Sequence, residues 1–579
     1  MKPGHSLTPL QRLAGLLRLD RRDIYYIYIY AVFAGLISLS LPLGVQAIIG
    51  LIAGGAISAS IILLVVAVTA ASALSGILVI MQLSVAETIQ QRIFARAAFE
   101  FGFRIPRLQL DNLSAYYPPE LVNRFFDTMT LQKGIPKLLI DASSAALSVV
   151  FGLVLISFYH PFFAFFGLAL LLIIFLIFRI TGPMGLKTSL KESTNKYEVA
   201  HWLEELARSM STFKLAGDTP LPLQKTDELV GNYLENRKRH FRVLLIQYKV
   251  VLVFKVVVTA GLLLLGSILV IDNQINIGQF VASEIVVISI ISSIEKLMLT
   301  MDTVYDTLTA LEKLGSVTDL PLEQDGGLPF EKIDTGGGIR LSVKALHFKY
   351  QDTNKSTLDH ISFDLAAGEK VALAGYNGSG KTTLVQLIAG LFSNFDGNIS
   401  YNGFPIQNLD QSSLRRHIGD HCSQENIFRS TLMENISLGH PDVKLDDVVW
   451  AADCTGLSEF VQSLSKGYQT VLLPEGKNIP QNIRSKILLA RSIASRPRLL
   501  VMENMSGTMD QSDRDRIARF LTSPEHNWTL LAATDDPVFA SQCDRVIIMQ
   551  AGKIVADGNF ETVRESPHFQ EVFKTGEGA

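Results

Sequence analysis

Residues 375–383 read GYNGSGKTT. The stretch fits G-x-x-x-x-G-K-[ST], a glycine-rich turn whose backbone N–H groups wrap phosphate oxygens, with a lysine for the terminal phosphates and a hydroxyl for Mg2+. β-type runs at 339–350, 362–365 and 370–374 lead into it and a helical pattern follows, which is the strand, loop and helix context the motif requires. Lys381 and Thr382 fall at the start of that helix, where its dipole helps hold anions. The reading is an α/β nucleotide-binding domain that holds nucleotide phosphates with Mg2+. Gly375, Tyr376, Asn377, Gly378, Ser379, Gly380, Lys381, Thr382 and Thr383 form the phosphate cradle, and Thr382 is a metal ligand.

Upstream of this domain the composition is different. The chain has 579 residues, 48% of them hydrophobic, with a mean hydropathy of +0.28, high for a soluble protein and too long for one domain. Net charge is −3, which gives no footprint for nucleic acid. The three cysteines, Cys422, Cys454 and Cys543, lie in the C-terminal half without metal-ligand spacing, as reduced cytosolic thiols do.

Six segments in the first half are long and apolar enough to cross a lipid membrane, which takes about 20 residues of helix. They run approximately 24–49, 57–81, 138–157, 161–180, 250–271 and 277–294. Short polar links follow the first, third and fifth, whereas about 55 and about 70 residues separate the second from the third and the fourth from the fifth. Arg12, Arg18, Arg21 and Arg22 precede the first span, and Arg92, Arg96, Arg104, Arg107, Lys133 and Lys137 fill the first long loop; the short links carry no Lys or Arg. The positive-inside rule then places both termini and both long loops in the cytoplasm. The first span is long and lacks a small-residue cleavage site, so it reads as an anchor.

The long loops carry apolar residues at three- and four-residue spacing over 88–103 and 187–214, the pattern of amphipathic helices that extend membrane spans into the cytoplasm. The first turn contains YYPPELVNRFFD at 116–127, with Pro118 and Pro119 suited to a helix start and Phe125 and Phe126 as apolar knobs. Trp202 is the expected anchor of the second turn; packing between the loop helices is the alternative for all three aromatics. A Gly-, Pro- and charge-rich stretch, LPLEQDGGLPFEKIDTGGG, reads as a linker. The expected division is a transmembrane domain at 1–318, a linker at 319–338 and the nucleotide domain at 339–579.

With six spans, two long cytoplasmic loops and a C-terminal phosphate-loop domain, the chain resembles an ATP-binding-cassette (ABC) exporter half-transporter. The resemblance implies a six-helix exporter-type transmembrane domain fused to a cytoplasmic α/β nucleotide-binding domain. It also implies pairing with a second half-transporter chain, each ATP being sandwiched between the phosphate loop of one chain and the signature motif of the other. LPLGVQAIIGLI and PPELVNRFFDT look most like the peptide and protein exporters of bacterial type I secretion, implying an inner-membrane location and a membrane-fusion adaptor as a further partner. About 23 residues precede the first span, too few for the N-terminal peptidase of some peptide exporters.

By the same resemblance Tyr350 matches the aromatic that stacks on adenine, Gln424 the glutamine that reaches Mg2+ and the attacking water, and Asp510 the aspartate that faces across the dimer. Other positions depart. Ile479, Pro480, Gln481, Asn482 and Ile483 stand where the family has LSGGQ, so the Ser hydroxyl and the two glycines that approach the opposite ATP are gone. Glu503 replaces the Asp that contacts Mg2+. Asn504 replaces the glutamate that activates water, and loss of a general base costs about 10²–10⁴ in rate. Asp535 replaces the switch histidine, an anion where the family has a donor to the γ-phosphate.

Three readings follow. The chain is an exporter subunit that binds ATP firmly and hydrolyses it poorly while moving a peptide, protein or other amphipathic substrate. It is an ordinary ATP-hydrolysing exporter with substitute residues, Glu503 as base. Or it is a non-hydrolytic regulatory or scaffold subunit of a secretion complex. Glu284, inside the last span, is expected to line a pathway or to pair with a polar group.

Overall fold

The computed structural model describes residues 8–54, 59–113, 118–159, 161–323, 326–334, 336–351, 353, 355–421, 426–503 and 509–573. The chain divides into two compact units, 1–106 with 116–320, and 107–115 with 321–579.

The first unit is helical. Four helices dominate it: Ala59–Arg104, Pro161–Arg208, Leu221–Ile271 and Ile277–Thr318, of 46, 48, 51 and 42 residues. At 1.5 Å per residue they are roughly 60–75 Å long, twice the hydrocarbon thickness of a bilayer, so each apolar span continues as a charged extension beyond it. Five helical stretches among the described residues are long and apolar enough to cross a membrane: Arg21–Ala53, Ala59–Arg107, Glu120–Ser157, Leu221–Ile271 and Ile277–Thr318. The remaining expected span, 161–180, lies on the helix Pro161–Arg208, where some side chains fall outside the described residues.

Local sequence explains where these helices start and bend. Asn276 and Gln279 make a capping box that opens the last span, and Thr8 and Gln11 make another on the short helix Pro9–Leu19. Pro136 sits inside the helix Asp127–Lys137 and withholds a backbone donor; a π-helical turn, Leu138–Ala142, follows at once. The spans pack through Val149, Leu153, Val258, Val286, Ile290 and Ile294, all buried. Small residues allow close approach: a Cβ on Gly185 would lie 2.2 Å from the buried Tyr305 ring.

Phe125 contacts Phe94 and Phe101 edge-on, with centroids 5.5 and 5.6 Å away. Trp202 is buried, donates to Thr226 Oγ1 at 3.1 Å and lies under the Lys225 ammonium. Phe125 and Trp202 thus pack between the loop helices of their own unit. Glu284 is half-buried and has no ion pair or hydrogen bond among the described residues. Asp141 pairs with Lys296 at 2.9 Å, and Lys255 pairs with Glu295 at 2.9 Å.

The second unit holds two sheets. An antiparallel one has the order β2-β1-β4-β5, with β1 Leu341–Phe348, β2 Leu358–Leu365, β4 Asp396–Tyr401 and β5 Phe404–Pro405. The other has the order β10-β9-β3-β8-β7-β6, with β3 Lys370–Ala374, β6 Ile418–His421, β7 Leu499–Glu503, β8 Thr529–Ala533, β9 Arg545–Gln550 and β10 Lys553–Gly558. It is parallel from β9 to β6, and its fully buried central strands read as continuous apolar runs. β2 begins at Leu358, four residues before the run visible in the sequence, because a bulge at Asp359–His360 breaks the alternation there. Within the Gly- and Pro-rich stretch, Phe330 is fully buried and Ile333 joins the same core. Residues 107–113 strap onto this unit: Glu323 N donates to Arg107 O at 2.8 Å, and Asp111 accepts from the backbone and hydroxyl of Ser393.

Candidate functional site

β3 delivers the chain to the phosphate loop. Gly375, Gly378 and Gly380 take φ values of +148, +81 and +101°, which a side chain resists. Packing adds a second demand, since a Cβ on Gly375 would lie 2.3 Å from Met549 O and one on Gly380 2.8 Å from Leu358 Cδ2. Gly380 caps the helix Lys381–Ile388 without a side chain, so the first-turn N–H groups are left for an anion.

The loop encloses a cavity of about 170 Å³ whose walls include Lys381, Thr382, Glu503 and Asp535. That is below the roughly 300 Å³ of a pocket that engulfs a whole small molecule, and suits a phosphate end. Lys381 Nζ curls onto the carbonyl oxygens of Gly375 and, at 3.1 Å, Tyr376. Burial lowers its pKa, and the carboxylates of Asp535 and Glu503 oppose that shift. Thr382 donates its hydroxyl to Glu503, at the C-terminal end of β7. Asp535 is exposed, two residues beyond β8; its neighbour Asp536 is spent capping the helix Pro537–Ser541, accepting from Val538 N at 2.8 Å. Among the described residues no imidazole lines the cavity.

Tyr350 flanks this loop, with its hydroxyl 3.1 Å from Thr383 Oγ1 and its ring edge-on to Phe348 and Phe392. Tyr376 donates its hydroxyl to Glu571 O, and with Asn377 and Ser379 it lines the cavity. Gln424 and Asn504 lie outside the described residues. Asp510 is exposed at the N-cap of the helix Gln511–Thr522.

Residues 479–483, expected at the LSGGQ position, lead into the helix Gln481–Ala494. Pro480 is its N-cap and contributes no side-chain bond. Asn482 turns its own Oδ1 onto Ile483 N at 2.8 Å, occupying a helix-terminal donor. Ile479 and Ile483 pack on the core, leaving Pro480 and Gln481 exposed.

Sequence reasoning missed His421, which ends β6 beside β7. Burial, helped by the Arg491 guanidinium and opposed by Glu503, pushes its pKa down to about 4, so the ring stays neutral at physiological pH. No spacing motif announces it; only the pairing of β6 with β7 brings it close to Glu503.

Two family models match the chain, the ABC transporter transmembrane region over residues 24–293 and the ABC transporter domain over residues 358–506. The chain has the fused architecture of an ABC exporter. Its multi-pass membrane unit precedes an ABC-type ATPase domain, a domain type that implies ATP binding. The chain is 25% identical over 371 residues to the alpha-hemolysin translocation ATP-binding protein HlyB of Escherichia coli O6:H1, covering 63% of this chain and 51% of that protein. It is 26% identical over 364 residues to the leukotoxin translocation ATP-binding protein LktB of Mannheimia haemolytica, covering 62% and 50%. It therefore spans about half the length of the curated relatives it matches. Its fold is that of a bacterial Atm1-family ABC exporter solved with ATP bound, with a TM-score of 0.83 at 17% identity, covering 96% of this chain and 99% of that one.

Proposed function

We propose that this chain is an exporter subunit that binds ATP at its phosphate loop, pairs with a second half-transporter, and couples nucleotide binding to export while hydrolysing ATP slowly. The carrying observation is the content of the phosphate cavity: a half-buried lysine, Lys381, shares it with two carboxylates, Glu503 and Asp535. Pro480 and Asn482 support the same reading, because the helix end offered to a partner's ATP lacks a hydroxyl and has one donor occupied.

Thr382 and Glu503 fit Mg2+, being adjacent hydroxyl and carboxylate oxygens of the kind that hold this ion against substrate phosphates. Bound there, Mg2+ would neutralise charge on the terminal phosphates. Occupied in this way, Glu503 is not placed as a proton acceptor, which weighs against its service as a substitute base. Gln424 is assigned to the same metal, Asn504 to the vacated base position and Tyr350 to the adenine. The likeness to hemolysin and leukotoxin translocation proteins supports a peptide or protein cargo, a bacterial inner-membrane location and an adaptor partner.

The test is ATP binding and single-turnover hydrolysis by the purified chain in lipid, beside an Asn504→Glu variant. Firm binding with negligible turnover, partly restored by Asn504→Glu, is expected. Turnover of the unmodified chain at the rate of an ordinary exporter overturns the proposal. Glu503→Gln then discriminates, since it abolishes turnover if Glu503 is the base.

A further inference from the structure

Away from the phosphate loop, β1 and β2 bring together a group of donors that the proposed function does not use. His347 on β1 faces Asp359 and His360 on β2, and one ligand atom from each lies within 4.8 Å of the others. The pairing register explains the convergence. Leu346 pairs with Ile361 and Phe348 with Leu358, so one residue of β1, His347, stands opposite two of β2. That is a β-bulge, and His360 takes the left-handed backbone, φ +54°, that marks it. In a regular strand consecutive side chains point to opposite faces, and Asp359 and His360 could not serve one ion. The bulge turns both to the outer face, while Leu346, Phe348, Leu358 and Ile361 fill the core beneath.

The details of each donor suit ligation. His347 Nδ1 is 3.7 Å from Asp359 Oδ1, and the two imidazole rings have centroids 5.7 Å apart. Ser356 Oγ lies 2.9 Å from His347 Nε2, an outer contact of the kind that orients a ligating ring. Lys553 holds the other carboxylate oxygen, Asp359 Oδ2, at 3.0 Å, and its side chain is largely exposed. Asp359 is anchored from behind, its N–H donating to Gly552 O at 2.9 Å. Two imidazoles and a carboxylate are borderline donors that favour Zn2+, Ni2+ or Cu2+ over Mg2+ or Ca2+. Tetrahedral Zn2+ requires ligand atoms about 3.4 Å apart, so closure needs shifts of about an ångström in partly exposed side chains.

We infer that His347, Asp359 and His360 form a three-ligand site for a divalent transition-metal ion of the Zn2+ class, with a fourth position open to water. The ion would clasp β1 to β2 at the base of the turn that carries Tyr350, on the nucleotide side of the unit.

The test titrates tag-free full-length chain in nanodiscs with Zn2+ against a chromogenic chelator. One Zn2+ per chain is expected, weakened at least about tenfold by His347→Ala or by His360→Ala, as for loss of groups that hold a metal. Lys553→Ala is expected to tighten binding, because it frees Asp359 of a competing cation. Retained ATP binding reports that the variants fold. X-ray absorption of the Zn2+-loaded unmutated chain reads the ligands without any substitution, and two imidazoles are expected. Zn2+ binding by the His347→Ala/His360→Ala double variant equal to that of the unmutated chain, or an all-oxygen ligand shell, overturns the assignment.

Discussion

Replacing Asp535 with Asn removes one negative charge from the phosphate cavity without changing the shape of the side chain. The cavity of about 170 Å³ corresponds to a sphere about 7 Å across, so a phosphate inside it lies about 7 Å or less from the Asp535 carboxylate. At that separation, an effective dielectric constant between 20 and 80 gives about 0.6–2.4 kcal/mol of repulsion per unit of phosphate charge. Asp535 is exposed, which favours the lower part of that range. Asp535→Asn should therefore raise ATP affinity about three- to fifty-fold, with the smaller gain at high salt. ADP, lacking the terminal phosphate, should gain less than ATP. Equilibrium binding of both nucleotides to the chain in nanodiscs, at two ionic strengths, measures this. Unchanged or weaker ATP affinity in the variant, or an equal gain for ADP, would refute the placement of Asp535 against the terminal phosphate.

Other substitutions probe the scaffold. Gly375→Ala places a methyl 2.3 Å from Met549 O and 2.9 Å from Ser379 Oγ at φ +148°, so ATP binding should fall by more than about tenfold and the melting temperature should drop. Gly185→Ala drives a methyl to 2.2 Å from the Tyr305 ring; overpacking of this kind costs about 1–3 kcal/mol, visible as a lower thermal midpoint with ATP affinity unchanged. His421 gives a pH signature. Its folded pKa of about 4 lies below the ordinary 6.5, so the unfolded chain binds the proton first as pH falls. Stability is full above pH 6.5 and declines between 6.5 and 4, by at most about 3 kcal/mol. Thermal melts of His421→Gln across that window should show a shallower decline than those of the unmodified chain.

What could be read from the sequence was what a short window specifies. The phosphate loop, the apolar spans and their amphipathic continuations each depend on neighbours within a few turns. The rest depends on which distant segments meet. Phe330 sits in a Gly- and Pro-rich stretch with every local mark of a linker, yet it is fully buried against its unit's core. Residues 107–113 interrupt the membrane unit in sequence but hydrogen-bond to 321–323 and Ser393. The Lys255–Glu295 and Asp141–Lys296 pairs join helices whose relative rotation no local pattern fixes. β2 was half-legible because its bulge breaks the two-residue period at the residues that gather beside His347.

The phosphate loop itself separates what the fold requires from what a ligand requires. Gly375 is needed whether or not nucleotide binds, because Met549 O occupies the space a side chain would take, and Leu358 and Thr357 O do the same at Gly380. Intact glycines there are weak evidence of chemistry. Lys381 is different. Its ammonium is buried enough to lower its pKa and rests on carbonyl oxygens of its own loop, a desolvation cost that packing does not explain and an incoming phosphate would offset. Asp535, Pro480 and Gln481 are exposed and meet no such packing demand, so substitution there leaves the fold intact. On the proposed function, nucleotide binding and nucleotide hydrolysis diverge within one domain: Lys381 is held at an energetic cost that a phosphate would offset, while Asp535, Pro480 and Gln481 are exposed and carry no such cost.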